Sequence, residues 1–200
     1  MKEILKNALN NSYSYQDYRK MVTDLLQEGK SSGAIQSEAL VNYSRLNETR
    51  MHRLDKTIVI DQTIVSKFKA IQSKYIWLVI AEGWCGDAAQ ILPIFNKMSE
   101  VSDHIDFKIV FRDDNEALMN LFLTNGSKSI PKLIILDKNT LNVIADWGPR
   151  PKGAIDLVQN YKDKFGEIDD TIKTELQMWY LHDKGMGTQN EIIQMLQNLE

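Results

Sequence analysis

The chain predicts an α/β fold in which helices flank a central mixed sheet and further helices extend both ends. Three observations carry this. Tyr75-Ile76-Trp77-Leu78-Val79-Ile80 is a continuous apolar run of the kind a strand buried on both faces requires. Leu133 to Asp137 and Val143 to Trp147 flank the polar segment Lys138 to Asn142, a strand–turn–strand signature. Amphipathic segments of helical period occupy the first 56 residues and the last 36.

Taken in order, Ser14-Tyr15-Gln16-Asp17 reads as a capping-box-like start, and Tyr15, Tyr18, Val22, Leu25 and Leu26 then recur at helical spacing until Gly29 and Gly33 interrupt. This predicts a helix from Tyr15 to Glu28. Leu40, Tyr43, Leu46, Met51 and Leu54 form the stripe of a second. After Lys56 the texture changes: Thr57 to Ile60 is β-prone, and Asp61 is placed to cap a short helix through Ile71. The spacing then predicts a helix from Gly86 to Val101, a strand from Phe107 to Phe111 and a helix from Glu116 to Thr124. Helical spacing resumes from Ala154 to Tyr161, and Thr171 to Lys184 and Gln189 to Leu199 predict two final helices parted by Gly185-Met186-Gly187. The expected division is residues 1–56 as a helical N-terminal extension packed on the core, 57–164 as the central domain and 165–200 as a C-terminal helical extension.

Two hundred residues suffice for a substantial core without disulfides or a structural metal. A net charge of −3 with dispersed Lys and Arg provides no basic excess for nucleic acid or anionic lipid. Met1 to Asn7 lacks the apolar stretch of a signal peptide, and Tyr75 to Ala81 is far too short to span a bilayer, so a cytoplasmic protein is expected. His52, His104 and His182 are scattered without metal-ligand spacing, and neither a metal nor another cofactor is expected.

The chemistry concentrates at Cys85, the only cysteine, in Trp84-Cys85-Gly86-Asp87-Ala88 between the apolar strand and the helix after it. A thiol at a helix N-terminus meets unpaired N–H groups and partial positive charge, which favour the thiolate. Asp87 opposes this by charge, and the two effects are of similar size. The position three residues on holds Ala88, so an intramolecular disulfide is impossible.

Trp84-Cys85-Gly86 resembles the thioredoxin family, whose motif is Trp-Cys-Gly-Pro-Cys at the end of a central strand. Pro93 in the following helix, Ile130-Pro131 before a strand, Gly148 after the last strand and the expected order β-α-β-α-β-α-β-β-α fit the same family. More narrowly, the chain is similar to a bacterial thioredoxin-like subgroup with a helical N-terminal extension and Trp-Cys-Gly-Asp-Ala in place of the dithiol. The resemblance implies a thioredoxin-like fold and a cis Ile130–Pro131 bond. It also implies a groove formed by Trp84, Gly86, Asp87, Ile130, Pro131 and Gly148.

Departures from the family pattern leave two functions open. Val79 stands where the family buries an aspartate, Asp87 replaces the motif's proline and Ala88 its second cysteine. The first function is monothiol exchange, in which Cys85 attacks a disulfide of a protein or low-molecular-weight thiol and an external thiol resolves the mixed disulfide. Lys132, across the groove, and Glu82, at the strand end, are the residues in sequence reach to tune the thiolate. The second is a redox-inactive binding module using the same groove.

Overall fold

A computed structural model describes residues 1–199. Four strands form one sheet in the order β2-β1-β3-β4. The central strand β1 (Tyr75–Ala81) is buried along its whole length, as its unbroken apolar sequence requires. It pairs in parallel with β2 (Ile105–Phe111) and antiparallel with β3 (Lys132–Asp137), which continues through the turn to β4 (Val143–Trp147). Trp77, fully buried, meets Phe68 and Phe95 edge-on at ring separations of 5.9 and 5.7 Å, and Phe95 in turn meets Trp147 at 5.6 Å. These aromatics fill the layer between sheet and helices, where burying each large side chain contributes about 1.5–3 kcal/mol.

The N-terminal helices are α1 (Lys2–Asn10), α2 (Tyr15–Gln27) and α3 (Glu38–Thr57). Ser14 and Ser37 cap α2 and α3 through their side chains. Arg19 of α2 bridges Glu48 and Asp55 of α3, which ties the two together. The helix α4 (Gln62–Lys69) is capped by Asp61, and α5 (Gly86–Ser99), with Pro93 in its interior, starts at Cys85. The helix expected from Glu116 is only one turn, α6 (Glu116–Met119). The C-terminal helices are α7 (Lys152–Phe165), α8 (Asp170–Asp183) and α9 (Met186–Gln197), the last two parted by Lys184 and Gly185, both left-handed. Gly185 has φ +82°, a backbone conformation that side chains rarely adopt, so the break between α8 and α9 favours glycine. Among the described residues no helix is long and apolar enough to cross a membrane.

Two further elements differ from expectation. The β-prone run at Thr57 to Ile60 forms no strand: Thr57 ends α3, and the carbonyl of Val59 accepts from Gln189 Nε2 of α9. The outer edge of β2, where such a strand would pair, is met instead by Tyr13, which exchanges both backbone hydrogen bonds with Ile109 at 2.8 and 2.9 Å. One bridge from the N-terminal extension thus takes the place of a fifth strand and satisfies part of an edge left open by the other four. Helix α1, the second difference, was not among the expected elements; it buries Leu5 and Ala8.

Candidate functional site

The site lies where β1 ends and α5 begins. Cys85 occupies the N-cap of α5: its sulfur accepts from the Ala88 N–H at 3.4 Å and its S–H donates to the Ile130 carbonyl at 3.4 Å. Both polar directions of the thiol are therefore used inside the protein, and Cys85 is only 7 % exposed. Burial, and after it the charge of Asp87, pushes the thiol up to about 12, against the pull of the Ala88 and Asp87 N–H groups and of Arg150. The helix N-terminus acts as expected, but desolvation exceeds it.

The wall opposite α5 is the loop before β3. The Ile130–Pro131 peptide is cis, and Ile130 and Pro131 are buried. Gly148 follows β4 with φ +123°, and a Cβ there would lie 2.3 Å from the Pro131 carbonyl oxygen, so this close approach of two backbones admits only glycine. The next bond, Gly148–Pro149, is also cis. Trp84, half-buried, is covered on one face by the Arg112 guanidinium, 4.9 Å from its ring centroid.

Asp87 is not a solvated first-turn carboxylate. It is buried, accepts from Arg150 Nε at 2.9 Å and Nη2 at 2.7 Å, and takes a third hydrogen bond from the Tyr180 hydroxyl at 2.8 Å. Burial disfavours the Arg150 charge, yet the Asp87 carboxylate, by charge and hydrogen bond, more than compensates and holds Arg150 above its ordinary range. Tyr180 is pushed well up by burial and then by Asp87, so it remains a neutral donor.

Both terminal extensions grip this turn. From α3, Asn47 Nδ2 donates to the Gly83 carbonyl at 3.0 Å, while its Oδ1 accepts from Arg50 at 2.9 Å. From the loop after α2, Ser32 Oγ accepts from the Gly83 N–H at 2.8 Å and donates to Glu82. From α8, Tyr180 reaches Asp87, and Gln177 Oε1 accepts from Gln90 Nε2 of α5 at 2.7 Å.

Neither residue singled out for tuning the thiolate has the thiol as its hydrogen-bond or ion-pair partner. Lys132 is buried, ion-paired with Asp146 and within 3.4 Å of Thr124 Oγ1. Glu82 is fully buried, and its carboxyl accepts from Ser32 and, at 3.0 Å, from the Asp113 N–H. Burial raises it above the usual carboxylate range, although both hydrogen bonds pull the other way. Val79, in place of an acid, is fully buried in β1.

Five partners were not legible as site residues: Arg150, Tyr180, Asn47, Arg50 and Ser32. In sequence each is an ordinary polar residue: Arg150, Tyr180, Asn47 and Ser32 stand 36 or more positions from the groups they bond, and Arg50 braces Asn47 from three positions on; only Arg150, two residues after Gly148, carried a positional hint.

The family model described as thioredoxin matches residues 33–162, more than half of the chain. The chain belongs to the thioredoxin family. The match begins within the first 56 residues and takes in α3, whose Asn47 holds the loop before Cys85. Among solved structures, the chain is similar to a protein of unknown function from Pseudomonas aeruginosa, at 14% identity and a TM-score of 0.59, over 78% of this chain and 86% of that one. It is also similar to an HIV epitope scaffold, at 16% identity and a TM-score of 0.58, over 89% of this chain and 98% of the other. At these identities the likeness concerns the fold. No curated protein matches the chain.

Proposed function

We propose that this thioredoxin-family chain is a binding module in which Cys85 stays a neutral thiol that caps α5 and fastens it to the cis-proline loop. The observation that carries this reading is the double engagement of the sulfur, with Ala88 N–H on one side and the Ile130 carbonyl on the other, in a setting that pushes the thiol up to about 12. A thiol that titrates there is ionised in about one molecule in 10^5 at pH 7, against a few per cent for an ordinary cysteine. Asp87 adds to this, because Arg150 and Tyr180 fix its carboxylate beside the sulfur. The surface left for a partner comprises Trp84, Gly86 and Gly148, each half-buried at the rim of the turn.

Incubation of the folded protein with oxidised glutathione, read by intact-mass spectrometry, tests this. The binding-module reading expects the mass of the chain to stay unchanged at neutral pH and a mixed disulfide to form only after denaturation. Rapid formation of one glutathione adduct on the native chain, absent in Cys85→Ser, would refute it.

One observation favours monothiol exchange instead: the sulfur lies at a helix N-cap directly against the carbonyl of the residue before the cis proline. In that reaction the Cys85 thiolate attacks one sulfur of a disulfide, a Cys85–S–S–R bond forms and the other half leaves as thiolate. An external thiolate then attacks the mixed disulfide, releases R and returns Cys85 as thiolate. The rapid glutathione adduct is the outcome that would select this reaction.

A further inference from the structure

Three of the six arginines, Arg19, Arg112 and Arg150, are ion-paired with carboxylates. The other three, Arg45, Arg50 and Arg53, all lie on α3, and none has a carboxylate partner among the described residues. Arg50 and Arg53 are one turn apart and close enough for the charge of Arg53, after burial, to depress Arg50 below its ordinary range. Arg50 is half-buried and donates to Asn47, with the charge of Asp87 acting in its favour, whereas Arg53 is exposed and has no such partner among the described residues.

Arg53 borders a cleft. Between α3 and α8 lies a cavity of 380 Å³ walled by Arg53, Leu54, Ile58, Tyr180, Leu181 and Lys184. That volume is at the small end of ligand clefts, which run from about 300 to 1,000 Å³. Arg53 and Lys184, both exposed, line it and their side chains have no hydrogen-bonding or ionic partner among the described residues, while Leu54, Ile58 and Leu181 supply an apolar wall. Leu181 is 44% exposed, a large apolar side chain left uncovered beside two free cations. Tyr180 belongs to this wall and to the Cys85 site alike, since its hydroxyl holds Asp87.

We infer that the cleft between α3 and α8 binds a small amphiphilic carboxylate, with the carboxylate on Arg53 and Lys184 and its hydrocarbon part against Leu54, Ile58 and Leu181. A planar guanidinium takes a carboxylate in bidentate fashion, and the ammonium of Lys184 adds a point charge. Although Tyr180 is shared, none of the residues assigned to the carboxylate or its tail hydrogen-bonds Cys85, so the assignment stands or falls apart from the function proposed above.

Titration calorimetry of the full chain with octanoate tests it, with octanamide as the uncharged analogue and acetate as the charge without the tail. Saturable binding of octanoate in the micromolar to millimolar range is expected, at least about tenfold tighter than octanamide or acetate. Arg53→Gln combined with Lys184→Gln, both at exposed positions, is expected to weaken octanoate at least tenfold, and Cys85→Ser to leave it unchanged. Absence of saturable octanoate binding, equal affinity for octanamide, or equal affinity in the double variant would each overturn the assignment. The comparison of the three ligands on the unaltered protein decides even if the double variant does not fold.

Discussion

Replacing Asp87 with asparagine removes a negative charge from beside the Cys85 sulfur while keeping an oxygen for the Tyr180 hydroxyl. Charge centres two residues apart on a helical turn, roughly 6–8 Å, interact by ~0.5–2.8 kcal/mol for effective dielectrics between about 80 and 20. Since about 1.4 kcal/mol is tenfold, the thiolate population is expected to rise about 2- to 100-fold. Arg150, freed from its carboxylate, acts in the same direction, because its charge already lowers the thiol. Burial is the larger cause of the elevation, however, so Asp87→Asn still leaves Cys85 titrating above an ordinary cysteine. The assay is the rate of iodoacetamide alkylation at pH 8, followed by intact mass, for Asp87→Asn against the unaltered protein. The same variant is expected to lose about 1–3 kcal/mol in urea unfolding, because a buried charge-assisted pair becomes a weaker contact. An alkylation rate that is unchanged or slower in a variant that remains folded would show that Asp87 does not oppose the thiolate, and the electrostatic argument would fail.

Gly148→Ala is expected to destabilise by more than about 2 kcal/mol in denaturant titration, since its Cβ would lie 2.3 Å from the Pro131 carbonyl at a φ that side chains avoid; a loss under 0.5 kcal/mol would mean that the two loops are not in contact. Asn47→Ala removes the donor to the Gly83 carbonyl and the brace of Arg50, and a cost of about 1–3 kcal/mol is expected. Glu82 has a folded pKa above its unfolded one, so the native state binds more protons between the two values and stability falls as pH rises from the ordinary glutamate range through the elevated one. Glu82→Gln is therefore expected to flatten thermal stability against pH across that window. An unaltered slope in Glu82→Gln would remove Glu82 as its source.

What was legible in the sequence followed from local chemistry. The run Tyr75 to Ala81 is a strand covered on both faces as its apolar sequence suits, Ser14 and Asp61 cap helices where their side chains can, and Cys85 stands at the helix start that its position after β1 implied. The stripe of α1 is present in Leu5 and Ala8 but short, which made it hard to separate from an irregular terminus. Thr57 to Ile60 shows how tertiary context overrides β-propensity: Tyr13 already meets the edge of β2, and Val59 bonds instead to Gln189, 130 residues away.

The site was half legible for the same reason. Position between the apolar strand and the next helix marked Trp84 and Cys85, and the resemblance to the thioredoxin family implied Pro131 and Gly148; the four lie on three loops, after β1, before β3 and after β4. The features that decide the character of Cys85 are long-range. Its burial depends on the packing of the whole turn, and Asp87 looks solvent-facing until Arg150 and Tyr180 arrive from 63 and 93 residues downstream. Glu82 is similar: at a strand end it reads as an exposed acid, yet the Ser32 loop covers it completely.

Iodoacetamide alkylation of native Cys85 between pH 6 and 10 tests the central claim most directly. A buried thiol held near 12 predicts a rate that climbs about tenfold per pH unit with no plateau in that range. A plateau with a midpoint at or below about 8.5, the ordinary cysteine value, would contradict it and make Cys85 a nucleophile.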